Sequence, residues 1–423
     1  MRRFAVRAKH AFDGDHFLDQ GATVLVRDGR IVAVEPAAYD VSADWPVVDH
    51  GDATILPGLI ETHAHLVTDS SPMALDRVAG YTDDEIDAVV TAALQAQLAS
   101  GVTAVRDLGD RSFNVVSRRD AQRRADDGLP WIVASGPPLT TRAGHCHYLR
   151  GEVHGTDTIR TALSERVERS VDVVKIMASG GMNTPGTDPA AAAFTVGDLR
   201  LMVDLAHEAS LPVAVHAHAA DAIDMAVAIG VETIEHATYV TPRSHSVGDT
   251  ISAILSQQAT DERLEDLAAS GALVCPTMGG FTTELFDNGS PVIKQRVAAS
   301  GMTPEEIVCR RRLLVERMGQ AGVRFVGGSD AGIAPLKAHG RYAAAVVELG
   351  AIIGVVPSLA ASTSTAAHVC GLAAVKGRLR AGFDADLLVV GGDLATDLDL
   401  LWHVRQVVLR GRTTSSPVTA DCS

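Results

Sequence analysis

From about residue 53 onward the chain repeats one unit, which is a helical pattern, a glycine and then a short β-branched run. The unit is clearest at ASGVT (99–103), AIGVE (228–232), ASGAL (269–273) and QAGVR (320–324). In each case the glycine can close a helix in the left-handed conformation, and a strand follows directly. Because helices and strands alternate in this way, the pattern predicts an α/β protein built on a parallel sheet.

Eight segments are predicted as strands of that sheet. They are residues 54–66, 103–109, 131–136, 172–178, 212–218, 232–238, 273–278 and 324–330. Capping-box patterns at Thr82 with Glu85 and at Thr303 with Glu306 predict the starts of two of the intervening helices. Eight strand–helix units predict a (β/α)8 TIM barrel, which we place at residues 53–374.

The two ends of the chain have a different pattern. Residues 1–52 and 375–423 contain short alternating strands that are broken by turns such as DG and GGD. Neither piece alone could bury much of a core, so we predict one composite β-sandwich domain made from both. Residues 179–197 and 244–262 fit no strand and no complete helix, and long loops in a compact domain are often functional.

Charge and cysteine content narrow the class of partner. The 423 residues include 37 basic and 52 acidic side chains, a formal charge of −15, which disfavours nucleic acid and anionic membranes. A small-molecule substrate is therefore expected. The five cysteines are odd in number, widely spaced and never arranged as C-x-x-C, which favours a cytoplasmic location. The uncharged stretch 349–375 is too polar for a membrane span. A homo-oligomer is compatible with the sequence, which does not fix the oligomeric state.

Histidines and one aspartate stand where predicted strands end. Side chains two apart on a strand share a face, so each H-x-H pair can point to one site. An isolated pair is more often packed in the core, and an aspartate before glycine usually forms a turn. Convergence at one barrel rim favours a metal site instead. The residues are His63, His65, His216, His218, His236 and Asp330.

Lys175 lies in DVVKIMASGG, an apolar strand in which a charged lysine would be costly to bury. A neutral amine beside two cations can instead react with carbon dioxide and form a carbamate. The carbamate oxygens would supply the anionic bridge that a pair of ions needs.

Six fragments in order resemble the amidohydrolase superfamily, in the branch of metal-dependent Xaa-Pro dipeptidases, ochratoxin-type amidases and imidazolonepropionase-like proteins. The fragments are PGLIETHAH, VKIMASGG, PVAVHAHA, IEHATY, GGSDAG and GRLRAGFDADLLVV. The resemblance implies that His63, His65 and Asp330 hold one divalent ion and that His216 and His236 hold a second. Carboxylated Lys175 would bridge the two ions, for which zinc is the expected element.

The resemblance also implies a reaction. A metal-bridging hydroxide would attack an amide carbonyl, Asp330 would carry the proton to the leaving nitrogen, and His145 would stabilise the oxyanion. The expected substrate is an N-acyl amino acid or a dipeptide, with a cyclic amide next. Substrate contacts are predicted for four further residues, which are His147, Arg142, Arg150 and His218. The alternative for the first three is an ordinary solvated loop, and the alternative for His218 is a hydrogen bond to a metal ligand.

Departures from the family pattern leave alternatives open. Glu61 stands where the family usually has aspartate, and we expect it to be a longer hydrogen-bonding partner below His63. Ala219 replaces a common glycine. A mononuclear cyclic-amide hydrolase or deaminase would not need Lys175, a Schiff-base enzyme would use it as the nucleophile, and a catalytically inactive scaffold would need none of these residues.

Overall fold

The computed structural model describes residues 3–242, 251–287 and 289–414, with the backbone alone for 251–254. Its strands are β1 (Arg3–Ala8), β2 (His10–Ala11), β3 (Ala22–Arg27), β4 (Arg30–Glu35), β5 (Val47–Asp49), β6 (Ala53–Pro57), β7 (Leu59–Ala64), β8 (Val102–Asp107), β9 (Trp131–Ala134), β10 (Thr140–Thr141), β11 (Glu152–Val153), β12 (Val174–Met177), β13 (Val213–Ala219), β14 (Thr233–Val240), β15 (Leu273–Cys275), β16 (Leu387–Gly391), β17 (Val404–Leu409) and β18 (Arg412–Thr413). Its helices are α1 (Ala74–Val78), α2 (Asp83–Ala99), α3 (Asn114–Arg124), α4 (Gly155–Glu168), α5 (Val196–Glu208), α6 (Ala220–Ile229), α7 (Ile251–Gln258), α8 (Asp261–Ser270), α9 (Thr283–Asp287), α10 (Pro291–Ser300), α11 (Pro304–Gln320), α12 (Tyr342–Ile353), α13 (Val355–Ala361) and α14 (Ser364–Val369).

The central strands are parallel, as expected for a mixed α/β fold. One sheet has the order β7-β8-β9 and another has the order β12-β13-β14-β15. Single parallel bridges join Leu139 to Ile176, Val274 to Phe325 and Ala331 to Ala64. The predicted strand 324–330 forms only the bridge at Phe325, and no regular strand is assigned to that described segment.

The parallel strands are apolar over their whole length because both of their faces are covered. Every residue of β7, β8 and β13 is buried, and the buried faces of α2, α5 and α6 pack outside them. Both predicted capping boxes are confirmed, at the starts of α2 and α11. Gly230 and Gly271 close α6 and α8 in the left-handed conformation, which explains the helix–glycine–strand repeat.

Strands from the two ends of the chain pair with each other. β16 is antiparallel to β6, from Leu387 opposite Pro57 to Gly391 opposite Ala53, in the sheet β18-β17-β16-β6-β2. A second sheet has the order β4-β3-β1-β5. The single strand predicted at 54–66 is therefore wrong, because β6 joins the terminal sheet and only β7 joins the parallel set. The domain limits 1–52 with 375–423, and 53–374, stay predictions, and residues 415–423 lie outside the described chain.

The two segments predicted to be irregular, 179–197 and 244–262, differ in their secondary structure. Within 244–262, residues 251–258 form helix α7, which corrects the expectation of no complete helix, and 243–250 lie outside the described residues. Within 179–197, a single bridge joins Ser179 to Ala192 before α5 begins. None of the described helices combines the length and the apolar character that crossing a bilayer requires.

Candidate metal centre

The carboxyl ends of the parallel strands surround a cavity of about 190 Å³. His63 and His65, at the end of β7, meet Asp330 there, and one ligand atom from each lies within 4.8 Å of the others. Nε2 of His65 is 3.0 Å from Oδ1 of Asp330, and Nε2 of His63 is 3.5 Å from it. The sequence prediction that these three residues converge agrees with this geometry. Their role as ligands stays a prediction.

A second group faces the first across the cavity. His216 and His218, on β13, and His236, on β14, also offer ligand atoms within 4.8 Å of one another. Their ring centroids are 4.6 to 4.7 Å apart, and the ring of His236 is 5.3 Å from that of His63. His218 thus lies among the candidate ligands, whereas the sequence pattern favoured a substrate contact for it.

Lys175, on β12, is buried beside both groups. Its Nζ atom has no hydrogen-bond partner, although it is almost inaccessible to solvent. Desolvation is the largest cause of the lowered pKa of this amine. A buried amine without a partner fits an additional group held at this position, because unpaired polar atoms are rare in protein interiors.

Burial holds four imidazoles of the centre neutral, namely those of His63, His216, His218 and His236. Desolvation is the main cause that lowers the pKa of His63 to about 4 and that of His218 to about 3. For His218 the charge of Arg311 is the next cause. Burial would raise the pKa of Asp330, but a hydrogen bond from His65 and the nearby histidines lower it overall. Neutral imidazoles and an ionised carboxylate are the forms that bind metal ions.

The backbone turns sharply at two of the candidate ligands. His236 has φ 69° and Asp330 has φ 63°, which is the left-handed region that side-chain-bearing residues rarely adopt. Such strain is typical of functional sites, where the surrounding structure holds it in place. His236 lines the cavity, while Glu235, the residue before it, contacts His63.

His145 lies on the loop after β10 and reaches the same cavity. Its ring centroid is 4.5 Å from that of His216, and its Nδ1 atom is 2.7 Å from Oγ1 of Thr184. That hydroxyl oxygen accepts a hydrogen bond from the backbone N–H of Cys146. Thr184 therefore occupies the Nδ1 side of the ring. Burial, followed by the charge of His218, lowers the pKa of His145 to about 3.

Glu61 lies below His63, on the same strand. Its carboxylate accepts hydrogen bonds from the backbone N–H groups of His63 and Ser329 and from the Ser329 hydroxyl, at 3.0, 3.0 and 2.5 Å. Complete burial raises the pKa of Glu61 to about 7. It therefore joins β7 to the segment that carries Asp330 and contacts the backbone of His63, not its ring.

A buried ion network that the sequence analysis missed orients His63. Oε2 of Glu235 is 2.7 Å from Nδ1 of His63, and Oε1 accepts a hydrogen bond of 3.0 Å from Nη2 of Arg106. The guanidinium also donates to the backbone oxygen of Thr62. A carboxylate on Nδ1 fixes the ring so that Nε2 faces the cavity. Thr233 and Glu235 stand two residues apart on β14 and therefore share a face of the strand. This spacing was the signal in the sequence that could have pointed to Glu235.

Three of the predicted substrate contacts lie away from the cavity wall. Arg142 and Arg150 are exposed, and Nη1 of Arg150 donates to Oγ of Ser112. Nδ1 of His147 is 3.1 Å from the backbone oxygen of Gly144. Neither these two arginines nor His147 lines the cavity, so the geometry gives their predicted role no support. Two arginines that the sequence analysis missed, Arg310 and Arg311 of α11, line it instead.

Residues 54–414 match the model of the amidohydrolase family. The chain therefore belongs to the amidohydrolase family, and it is a metal-dependent hydrolase of carbon–nitrogen bonds. The family resemblance deduced from the sequence motifs is confirmed.

The individual proteins that resemble the chain share only a low sequence identity with it. An ochratoxinase of Aspergillus niger is 23% identical over 425 aligned positions, which cover 90% of this chain and 80% of the relative. An imidazolonepropionase of Chromobacterium violaceum is 27% identical over 411 positions, covering 93% and 90%. A solved structure of a Xaa-Pro dipeptidase with methionine in its active site superposes with a TM-score of 0.82 at 22% identity, covering 98% and 100%. At this identity the structural likeness shows the fold alone.

Proposed function

We propose that the chain is a two-metal hydrolase that cleaves the amide bond of an N-acyl amino acid or a dipeptide. The observation that carries this proposal is the convergence of two ligand groups on one cavity, with the unpartnered Nζ of Lys175 beside both. His63, His65 and Asp330 would hold one ion, and His216 and His236 would hold the other. His218 is a further candidate ligand of the second group.

The donor set fits divalent ions such as zinc, because it consists of neutral imidazoles and a carboxylate. When bound, the ions would supply a polarised substrate carbonyl and a water of lowered pKa. Lys175 would react with carbon dioxide through its neutral amine, so that a nitrogen–carbon bond forms and a proton is lost. The resulting carbamate would bridge the two groups. The desolvation that lowers the pKa of Lys175 supports this step.

Residues of the chain itself would transfer the proton to the leaving group and orient the groups that react. The carboxylate of Asp330 is ionised in the free site, so it can accept a proton and release it to the leaving nitrogen. His145 would donate from Nε2 to the substrate carbonyl oxygen, because Thr184 occupies Nδ1. Glu235 would keep His63 in its tautomer during the reaction.

The finer architecture is part of the same proposal. Parallel pairs run from β7 through β8 to β9, and a bridge from Leu139, just after β9, leads to Ile176 on β12. The pairs continue through β13 and β14 to β15, and bridges at Phe325 and Ala331 lead back to β7. This cycle supports a closed (β/α)8 barrel over 53–374, with a composite β-sandwich from 1–52 and 375–423. We further propose a small-molecule substrate and a cytoplasmic location, with no nucleic-acid partner and no membrane association, and oligomerisation stays open.

Metal content and hydrolysis measured together test the proposal. We expect two divalent ions per chain in the wild type and at most one in Lys175→Ala, with hydrolysis of N-acyl amino acids lower by about 100-fold or more. Bicarbonate should speed reconstitution of metal-depleted wild type but not of the variant. Lys9→Ala, at an exposed lysine, is the matched control. One ion per chain together with an active Lys175→Ala would favour the mononuclear cyclic-amide hydrolase or deaminase.

A further inference from the structure

Helix α11 presents one face to the cavity. Ile307, Arg310 and Arg311 all line it, as their three- and four-residue spacing on a helix requires. Arg310 and Arg311 are 9% and 4% exposed, whereas the next residue, Arg312, is exposed to solvent. Two adjacent arginines are therefore buried at the wall of the candidate metal centre.

Neither buried guanidinium has an ion-pair partner among the described residues. Nη2 of Arg310 donates to the backbone oxygens of Thr238 and Tyr239 and to Oε1 of Gln258. Nη2 of Arg311 donates to the backbone oxygens of His236, at 2.7 Å, and of Pro276. Backbone oxygens satisfy donors but carry no full charge, so both positive charges remain uncompensated.

One fully buried nitrogen of this pair lacks a hydrogen-bond partner within the described chain. Nη1 of Arg311 is buried and makes no hydrogen bond to the described residues. Other arginine nitrogens are also without partners, namely those in Arg111, Arg166, Arg317 and Arg410, but none of these four residues lines the cavity. Arg311 therefore has an unpartnered buried donor and an uncompensated charge, and it lies in the wall of the cavity.

Two lysines also line the wall, namely Lys175, whose unpartnered amine is already assigned to the proposed metal centre, and Lys337. Nζ of Lys337 already donates to the backbone oxygens of Thr277 and Ser329, at 2.8 and 2.7 Å. Among the described wall residues Asp330 is the one carboxylate, and His65 engages it. The wall is therefore positive, although the protein carries a formal charge of −15.

Much of the remaining wall is apolar. Four of its side chains come from α9, α10 and the residues just before them, and these are Phe281, Leu285, Phe286 and Ile293. A ligand that satisfies both features has an anionic group for the arginines and an apolar body for this surface. Planar guanidinium groups match carboxylates, with which they form paired charge-assisted hydrogen bonds.

We propose that Arg311, with Arg310 beside it, is the subsite that binds the substrate's carboxylate, and that the substrate is a small acid with an apolar side chain. This inference rests on the proposed hydrolase function and assigns the residues that select its substrate. Arg311 donates a hydrogen bond to the backbone oxygen of His236, and its charge is, after desolvation, the next cause of the lowered pKa of His218. The acid would therefore bind on the side of the second histidine group.

Binding of a matched pair of probes tests the subsite without turnover. Calorimetric titrations of full-length protein, as purified and after metal depletion, would compare 3-phenylpropanoate with 3-phenylpropanamide. We expect the wild type to bind the acid about 10- to 100-fold more tightly than the amide. Arg311→Gln should lose that preference and bind the amide within about twofold of wild type. Arg312→Gln removes one exposed charge from the same helix, and it should behave as wild type.

Several outcomes would overturn the inference. Equal binding of the two probes by the wild type would do so, and that measurement does not depend on whether a variant folds. Arg311→Gln weakening both probes equally, with a normal unfolding transition, would assign Arg311 a structural role only. Loss of acid binding in Arg312→Gln would show a general charge effect.

The same measurements separate this inference from the proposed function. If N-acyl amino acids are not hydrolysed but acid binding still depends on Arg311, the hydrolase proposal fails and the subsite stands. If N-acyl amino acids and their carboxamides are hydrolysed with equal kcat/KM, the hydrolase proposal stands and the subsite fails.

Discussion

Burial sets the protonation of three imidazoles around the cavity. Desolvation lowers the pKa of His63 to about 4 and those of His145 and His218 to about 3, from an ordinary value of 6.5. An unfolded chain accepts these protons near pH 6.5, while the folded protein does not. The stability of the metal-depleted protein should therefore be unaffected by these groups above pH 6.5 and should fall as the pH drops from 6.5 toward 4.

Replacing one of these imidazoles should reduce that slope. In metal-depleted protein, His145→Asn removes one group that binds a proton in the unfolded state alone, so the free energy of unfolding should fall less steeply by about 1.4 kcal/mol per pH unit. Urea unfolding at several pH values between 4 and 8 would measure it. His403→Asn, at an exposed position, is the control. Parallel curves for wild type and His145→Asn would contradict the expectation.

Some site residues could be deduced from the sequence because strand geometry governs them. His63 and His65 share a face by alternation, and parallel strands bring their carboxyl ends together. Arg311 could not be found this way. It stands in the run Arg310–Arg312, which is typical of a solvated helix face, and only packing of α11 against the strand ends buries two of the three.

At the scale of elements, the capping box of α11 positions the two buried arginines. The Oγ1 atom of Thr303 accepts from the backbone N–H of Glu306, whose carboxylate accepts in return from the N–H of Thr303. Thr303→Ala should lower the free energy of unfolding by about 1 kcal/mol, measured by urea denaturation. Thr303→Ser keeps the hydroxyl and should stay close to wild type. Equal loss in both variants would mean that the hydroxyl does not act as a cap.

The elements that sequence reasoning placed correctly are those with strong local signals. Glycine caps and capping boxes depend on few neighbouring residues, so α2, α6, α8 and α11 end or begin where the pattern indicates. The predicted strand 324–330 was less accurate, because its backbone reaches a left-handed residue at Asp330 and pairs only at isolated points. The amino-acid preferences of strands and turns do not predict this irregular backbone.

At the scale of the whole molecule, a buried ion cluster ties the C-terminal segment to the central strands. Nζ of Lys376 is 2.8 Å from Asp384 and 2.5 Å from Asp386, and it lies 6.0 Å from the ring centroid of Trp131 on β9. All three atoms of the cluster belong to side chains that are buried or nearly so. The terminal and central parts therefore share interactions that a change at Lys376 would remove.

Lys376→Met should lower the free energy of unfolding by about 3–5 kcal/mol, because it leaves the buried carboxylate of Asp386 without its cation, whereas Asp384 keeps Arg30 at 2.6 Å. Urea unfolding followed by circular dichroism would measure this loss. The double variant with Asp386→Asn should recover part of it, since the stranded charge is gone. A loss below about 1 kcal/mol in the single variant would show that water solvates the cluster.

The sequence indicated that both termini contribute strands, because neither end could bury a core alone. It did not indicate that β6 pairs with β16, since an apolar run reveals burial but not its partner. Amino-acid composition does not determine which strands pair with each other. Such pairings depend on contacts between residues more than 300 positions apart, such as Ala53 and Gly391.

The pairing of β6 with β16 has a consequence for synthesis on the ribosome. β6 emerges early, directly before the strand that bears His63, yet its hydrogen-bonding edge stays open until the last tenth of the chain has been translated. Contacts of such long range slow folding and leave a nascent strand available to wrong partners. The chain therefore carries an incomplete sheet through most of its translation.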